Sequence, residues 1–353
     1  MMNVRENRLR ALRFDGPEWI PVSCWFNASC WHHYEHEALY RLIESHPRIF
    51  PWFERPEGEY RPHLAPWQRA GEPFRDCWGS LWETSDDGIT GAVTQHPLED
   101  WAAFEGYLPP DPVGTDGRLP EGQINRQARH DQIQQQRARG EFTAAGLPHG
   151  HTYLRLIYLR GYENLTFDMT DDEPRLRELI GMVESVNLYH IRRCAALGVD
   201  MITFPEDLGM QVGPMLSPEH FRKFIKPVYR RLLAPAHEAG AVRHMHSDGD
   251  IRALAEDLID LGLHCLNVQD LVNGLDWIRD HLKGRVAVDL DIDRQQIIRA
   301  GSPGDVRDHV REAVDKLAAP EGGLMLRVDL YPNIPLANIA ALLEAIEECG
   351  GGP

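Results

Sequence analysis

The chain has 353 residues, 37 Lys plus Arg against 54 Asp plus Glu, a formal net charge of −17 and 42% apolar residues. That composition suits a globular protein able to bury a full core and excludes disordered and collagen-like classes. The acidic excess argues against nucleic acid as a partner, because phosphate backbones select clustered Lys and Arg.

The first residues, MMNVRENRLRALRF, are charged, and the six cysteines form no C-x-x-C pair. No window approaches the roughly 20 uninterrupted apolar residues of a membrane span. The sequence therefore reads as cytoplasmic and soluble, with no membrane partner.

Residues 1–150 are rich in Pro, Trp and His, and eight of the nine Trp lie between positions 19 and 101. A first strand is expected in IPVSCWF from Ile20, with the rest of this region forming a lid over one end of the fold. Within it, FRDCWGSLWET places Phe74, Asp76, Trp78 and Trp82 around a glycine. Such a group can floor a pocket for a flat or apolar ligand, with Asp76 and Trp78 touching substrate, or it can simply pack lid against core. Residues 111–140 are polar and Gln/Arg-rich and predict a loop followed by an exposed helix.

From about residue 151 short apolar runs alternate with amphipathic stretches. The runs are HTYLRLIYL, VDMITFPED, AVRHMHSDG, HCLNVQD, RVAVDLDID and GGLMLRVDL. Ser217-Pro218 and Ser302-Pro303 supply an N-cap hydroxyl followed by Pro at the first helical position. Serial β-α units with a first strand near Ile20 predict a (β/α)8 TIM-type barrel of the α/β class. The expectation is one domain over 1–353, with 1–150 as an elaborated Trp-rich N-terminal segment and 151–353 as the main repeats. An open doubly wound sheet competes, but no G-x-G-x-x-G follows a first strand, so no nucleotide cofactor is expected.

In a barrel, chemistry collects where strands end. The residues closing the runs are Glu206 and Asp207, His246 and Asp248, Asn267 and Gln269, Asp289, Asp291 and Asp293, and Asp329 with Tyr331. An H-x-D pair at a strand end, His246 and Asp248, can bind a divalent metal or join a general base to its orienting carboxylate. The competing reading makes Asp248 or Asp250 a helix cap. Adjacent Glu206 and Asp207 point to opposite sides of a strand, so at most one faces the mouth. Of the three same-side carboxylates in VDLDID, only one is expected to reach a site, with Asp293 capping the helix that follows.

These segments resemble the uroporphyrinogen decarboxylase superfamily, which also contains corrinoid-linked methyltransferases. The resemblance runs from RENRLRALRFDGPEWIPV through FPEDLGMQ, LSPEHFRKFIKPVYRRL and HSDGDI to YPNIPLANIAALLEAIEE. It implies a TIM-type barrel with its site at the carboxyl ends of the strands. The decarboxylases' arginine-rich stretch is missing, since FNASCWHHYEHEALY has no arginine until Arg41, although Asp76 falls where a pyrrole-binding aspartate is expected. The zinc-binding H-x-C pair of the methyltransferase branch is replaced by His246-Ser247-Asp248, and its later cysteine maps near Val328 or Asp329.

The resemblance thus implies a small-molecule enzyme that removes or transfers a methyl group. Catalytic roles fall to His246, Asp248, Asp207 and Tyr331, and substrate contacts to Asp76, Trp78, Asn267, Gln269 and Asp291. A divalent metal, zinc as first assignment, would be held by His246 and Asp248, with Glu206, or else Asp207, completing the site. A separate corrinoid protein would accept the methyl group, and a homodimer is admitted by analogy. Decarboxylation of uroporphyrinogen or another small acid, and a non-catalytic binding barrel, remain as alternatives.

Overall fold

A computed structural model describes residues 2–350, apart from 59, 120, 121 and 123. Ten strands occur along the chain: β1 Val22–Phe26, β2 Phe74–Arg75, β3 Leu81–Glu83, β4 Ala92–Gln95, β5 Ala144–Gly146, β6 Met201–Asp207, β7 Val242–Asp248, β8 Cys265–Gln269, β9 Ala287–Asp291 and β10 Leu324–Leu330. Contacts divide the chain into two compact units. One comprises residues up to 73, 83–92 and 268 onward; the other comprises 74–82 and 93–267.

In the first unit β1 pairs with β10 and β10 with β9, all parallel. The helices Pro303–Leu317 and Leu336–Cys349 bury one apolar face each, the former through Val306, Val310, Ala313 and Leu317. Ser302 starts the first of these as the sequence predicts, accepting from the Asp305 amide while the Asp305 carboxylate accepts from the Ser302 amide. Asp293 caps the turn after β9, where its carboxylate accepts from the amides of Gln295, Gln296 and Ile297.

In the second unit β5, β6 and β7 are parallel neighbours, and β2 pairs antiparallel with β3. Seven parallel strands form among the described residues, β1 and β5 to β10, against eight in a complete (β/α)8 barrel. The run HTYLRLIYL, expected as a strand, is instead the helix Tyr153–Arg160. Its residues are buried on nearly every side, and an apolar run without a solvent face has no period that separates strand from buried helix. The strand that precedes it, β5, reads only Ala-Ala-Gly. Gly146 lies so close to β6 that a Cβ there would sit 2.1 Å from the Thr203 carbonyl oxygen, so the position tolerates no side chain and leaves no hydrophobic signature.

The stretch SPEHFRKFIKPVYRRLLAPAHE is helical but not uniform. A short turn at Pro218–His220 passes through a π-helical segment at Phe221–Ile225 into the helix Lys226–Glu238. Pro227 has no N–H to donate to the preceding turn, and a π-turn absorbs that missing bond.

No helix among the described residues is long and apolar enough to cross a membrane.

Candidate metal centre

The register of β6 against β7 decides which side chains meet. Pro205 pairs with His246 and Asp207 with Asp248. Because strand side chains alternate, Asp207, His246 and Asp248 project from one face, while Glu206 and Ser247 project from the other.

The loop after β5 adds His149 to the first face. Its Nε2 lies 3.2 Å from Asp207 Oδ1, and His246 Nε2 lies 3.5 Å from the same oxygen. One ligand atom each from His149, Asp207 and His246 falls within 4.8 Å of the others. Asp248 Oδ1 stands 3.6 Å from His246 Nε2, and the Asp248 amide donates to Asp207 Oδ1 at 3.1 Å.

The backbone that carries Asp248 is held by a close approach of two loops. Gly249 has φ +81°, and a Cβ there would lie 2.2 Å from the Gly209 carbonyl carbon. Only glycine meets both conditions. Ser247, on the opposite face, accepts from the Leu208 amide at 2.9 Å and ties the same two loops together.

His246 is oriented from behind. Its Nδ1 lies 2.5 Å from Asn267 Oδ1, an acceptor, so Nδ1 carries the proton and Nε2 faces the cluster. Burial opposes charge on this imidazole, yet the Asp207 hydrogen bond and the Asp248 and Asp207 charges prevail and raise its pKa to about 9. Burial likewise works against an ionised Asp207, but the two imidazoles hold its carboxyl well below the usual range. The result is a carboxylate held between two imidazole nitrogens, a charge pattern that a divalent cation can replace by displacing protons.

The donor set is two imidazoles and a carboxylate with no thiolate. Zinc, iron, cobalt and manganese accept such ligands, whereas thiolate sites are more selective. Of the set expected from sequence, His246 and Asp248 with Glu206 or Asp207, the trio that converges contains His246 and Asp207 but neither Asp248 nor Glu206. Glu206 is fully buried on the other face. It accepts from the amides of Thr152, Tyr153 and Leu154 at 2.8–3.2 Å and from the Tyr229 hydroxyl at 2.9 Å. Burial pushes its pKa up to about 7 against those bonds. Glu206 is thus the carboxylate that starts the helix at Tyr153.

Asp76 and Trp78 lie in the same unit and are buried. Asp76 accepts from the amides of Trp78 and Ser80 and from the Trp82 indole, and pairs with Arg155 at 2.6 Å. Its side chain has no exposed surface. Trp78 is 3% exposed and donates to the Gly117 carbonyl. The group is thus bonded internally through Asp76, Trp82 and Arg155.

Gln269, Asp291 and Tyr331 belong to the first unit. Asp291 is buried and accepts from Arg294 at 2.5 Å, and the same guanidinium lies 5.4 Å from the Tyr331 ring. Gln269 is buried, with its carbonyl accepting from the Asn273 amide group.

His149 is the member that reading the sequence missed. It stands in LPHGH, directly after a strand of three small residues. Placing the strand at His151–Leu159 moved the strand end thirteen residues past Gly146, where β5 ends.

Parallel strands alternating with helices, and polar side chains gathered at the carboxyl ends of adjacent strands, define an α/β protein of the TIM-barrel type. The uroporphyrinogen decarboxylase family model matches residues 152–349, and the chain belongs to that family of small-molecule enzymes. A methyltransferase from Methanosarcina mazei aligns over 99% of this chain and 99% of its own, at 15% identity and a TM-score of 0.68, a likeness of fold. A 3-keto-D-glucoside 4-epimerase from E. coli aligns over 73% of this chain and 97% of its own at 14% identity, with a TM-score of 0.39 that carries no argument. No curated protein matches the sequence.

Proposed function

We propose that the protein catalyses methyl transfer from a small methylated compound, with a divalent metal held by His149, Asp207 and His246. The observation that supports this reading is the convergence of those three ligand atoms within 4.8 Å at the ends of β6 and β7. A bound divalent ion, zinc as first assignment, would supply Lewis-acid polarisation of the substrate's heteroatom.

The chain's own residues do the rest. His246, fixed by Asn267, and His149 hold their Nε2 atoms toward one point, and Asp207 balances charge there. Asp248 is 36% exposed on the same face, placed to hold and hand over a proton. In the reaction the carbon–heteroatom bond breaks, the methyl group passes to a nucleophile, and the heteroatom keeps the bonding pair and takes a proton. A reduced corrinoid carried by a separate protein would accept the methyl group and supply the electron pair of the new bond.

Decarboxylation anchored on Asp76 is not favoured, since both oxygens of that residue are taken by Arg155, Trp82 and two amides.

The test offers the zinc-loaded protein methyl ethers, thioethers and methylamines together with free cob(I)alamin. Methylcobalamin is followed by its absorbance. Formation that disappears in His246→Ala supports the reading. Release of carbon dioxide from small acids without methylcobalamin would overturn it.

A further inference from the structure

The first unit contains a concavity lined by its own residues. It has a volume of about 320 Å³, within the range of small-molecule sites. Eight aromatic side chains line it, among them Trp25, Trp31, Tyr40, Trp52, Phe53 and Tyr60.

The strand β1 supplies Trp25, the short helix Cys30–His33 supplies Trp31, the helix His36–Glu44 supplies Tyr40, and the segment that follows supplies Trp52, Phe53 and Tyr60. Trp31 meets Tyr60 edge-on at 4.6 Å and Tyr40 at 5.5 Å, and Tyr40 tilts against Phe53 at 6.1 Å. The rings are therefore set at angles around a space rather than stacked on one another.

Exposure adds a second observation. Trp52 is 66% exposed and Trp25 and Tyr60 are each 37% exposed. Large aromatics left open beside a cavity are costly unless something covers them.

Charge narrows what that occupant is. The charged residue of the lining is Glu54, which is exposed. Two of the rings already hold cations on a face: Arg327 lies 4.2 Å from the Trp25 centroid and Arg55 4.6 Å from that of Tyr40. Both guanidiniums are neutralised by carboxylates, Arg327 by Asp329 and Arg55 by Glu37 and Glu44. The lining itself thus combines electron-rich ring faces with one uncancelled acid. An anionic ligand would meet Glu54, and a plain hydrocarbon would use the rings but not the carboxylate.

We infer that this concavity is an aromatic cage for a methylated ammonium group, with Glu54 as its counter-charge. Ring quadrupoles attract such cations face-on, and a quaternary ammonium, having few water hydrogen bonds to lose, enters an aromatic site at little desolvation cost.

The experiment uses the full chain and titrates choline chloride calorimetrically, with 3,3-dimethylbutan-1-ol as a neutral compound of the same shape. Choline should saturate one site, and the alcohol should bind at least about tenfold more weakly. Trp52→Ala and Glu54→Gln, both at exposed positions, should each weaken choline several-fold with the thermal midpoint unchanged. His246→Ala, which removes a ligand of the proposed metal centre, should leave choline affinity intact. Equal binding of the alcohol would overturn the cage, as would choline binding that is absent, indifferent to Trp52→Ala, or lost in His246→Ala.

Discussion

Asn267 Oδ1 stands 2.5 Å behind the ring of His246, and this contact fixes which nitrogen of the imidazole faces Asp207. An imidazole free to turn would present either nitrogen. Asn267 removes that freedom by offering Nδ1 an acceptor.

Substituting Asn267 by Ala should therefore weaken zinc binding about 10–100-fold. Asn267→Asp keeps an acceptor of the same shape and should retain most of the affinity. Competition with a chromophoric chelator measures both. A merely structural role for Asn267 would lower stability in the two variants without separating their zinc affinities.

Arg155 and Asp76 form a buried pair whose side chains are 2% and 0% exposed. Arg155→Met leaves a carboxylate buried without its cation and should cost about 3–5 kcal/mol, read from urea unfolding midpoints. Arg311 and Glu348, 47% and 56% exposed, pair at 2.8 Å, and Arg311→Ala should cost less than about 1 kcal/mol.

His309 Nε2 lies 2.6 Å from Asp270 Oδ2, both side chains nearly fully buried. Burial disfavours the imidazolium, but the Asp270 bond outweighs it and the pKa is raised. A histidine whose folded pKa exceeds its unfolded value stabilises fully below that unfolded value, about 6.5. The contribution fades as pH climbs through the folded pKa. Unfolding free energy should fall as pH rises above about 6.5, and His309→Gln should lose that component of the fall. A pH dependence identical in the two proteins would contradict the assignment.

Gly249→Ala places a Cβ at φ +81° and against the Gly209 backbone. The strain should cost about 1–3 kcal/mol or more. Because the same turn carries Asp248, methyl-transfer activity should fall beyond what the lost folded fraction explains. Circular dichroism and turnover on the same sample separate the two.

How far the sequence reveals this arrangement depends on how each residue is signalled. His246, Asp207 and Asp248 are legible because β6 and β7 are long and each ends in polar residues. The alternation rule also separates Glu206 from Asp207, although not which of them faces the ligands. That choice rests on the register of Pro205 against His246 and on the helix at Tyr153, whose amides claim Glu206. His149 was hidden by a strand of three small residues, where close strand approach erases hydrophobicity. Asp76 was visible as a polar residue among tryptophans, but its partner Arg155 lies 79 positions away, and no local pattern announces the pairing that takes it out of chemistry. The aromatic residues 25 to 60 showed only as an excess of Trp until the fold set them around one space.

If His149, Asp207 and His246 hold one divalent ion, metal analysis of the full chain after zinc loading and desalting will detect it. The wild-type protein should retain about one zinc per chain. His149→Ala and His246→Ala should retain almost none, while Glu206→Gln, which alters the opposite face, should keep it. A wild-type chain that emerges without metal, or zinc that survives both histidine substitutions, would contradict the account.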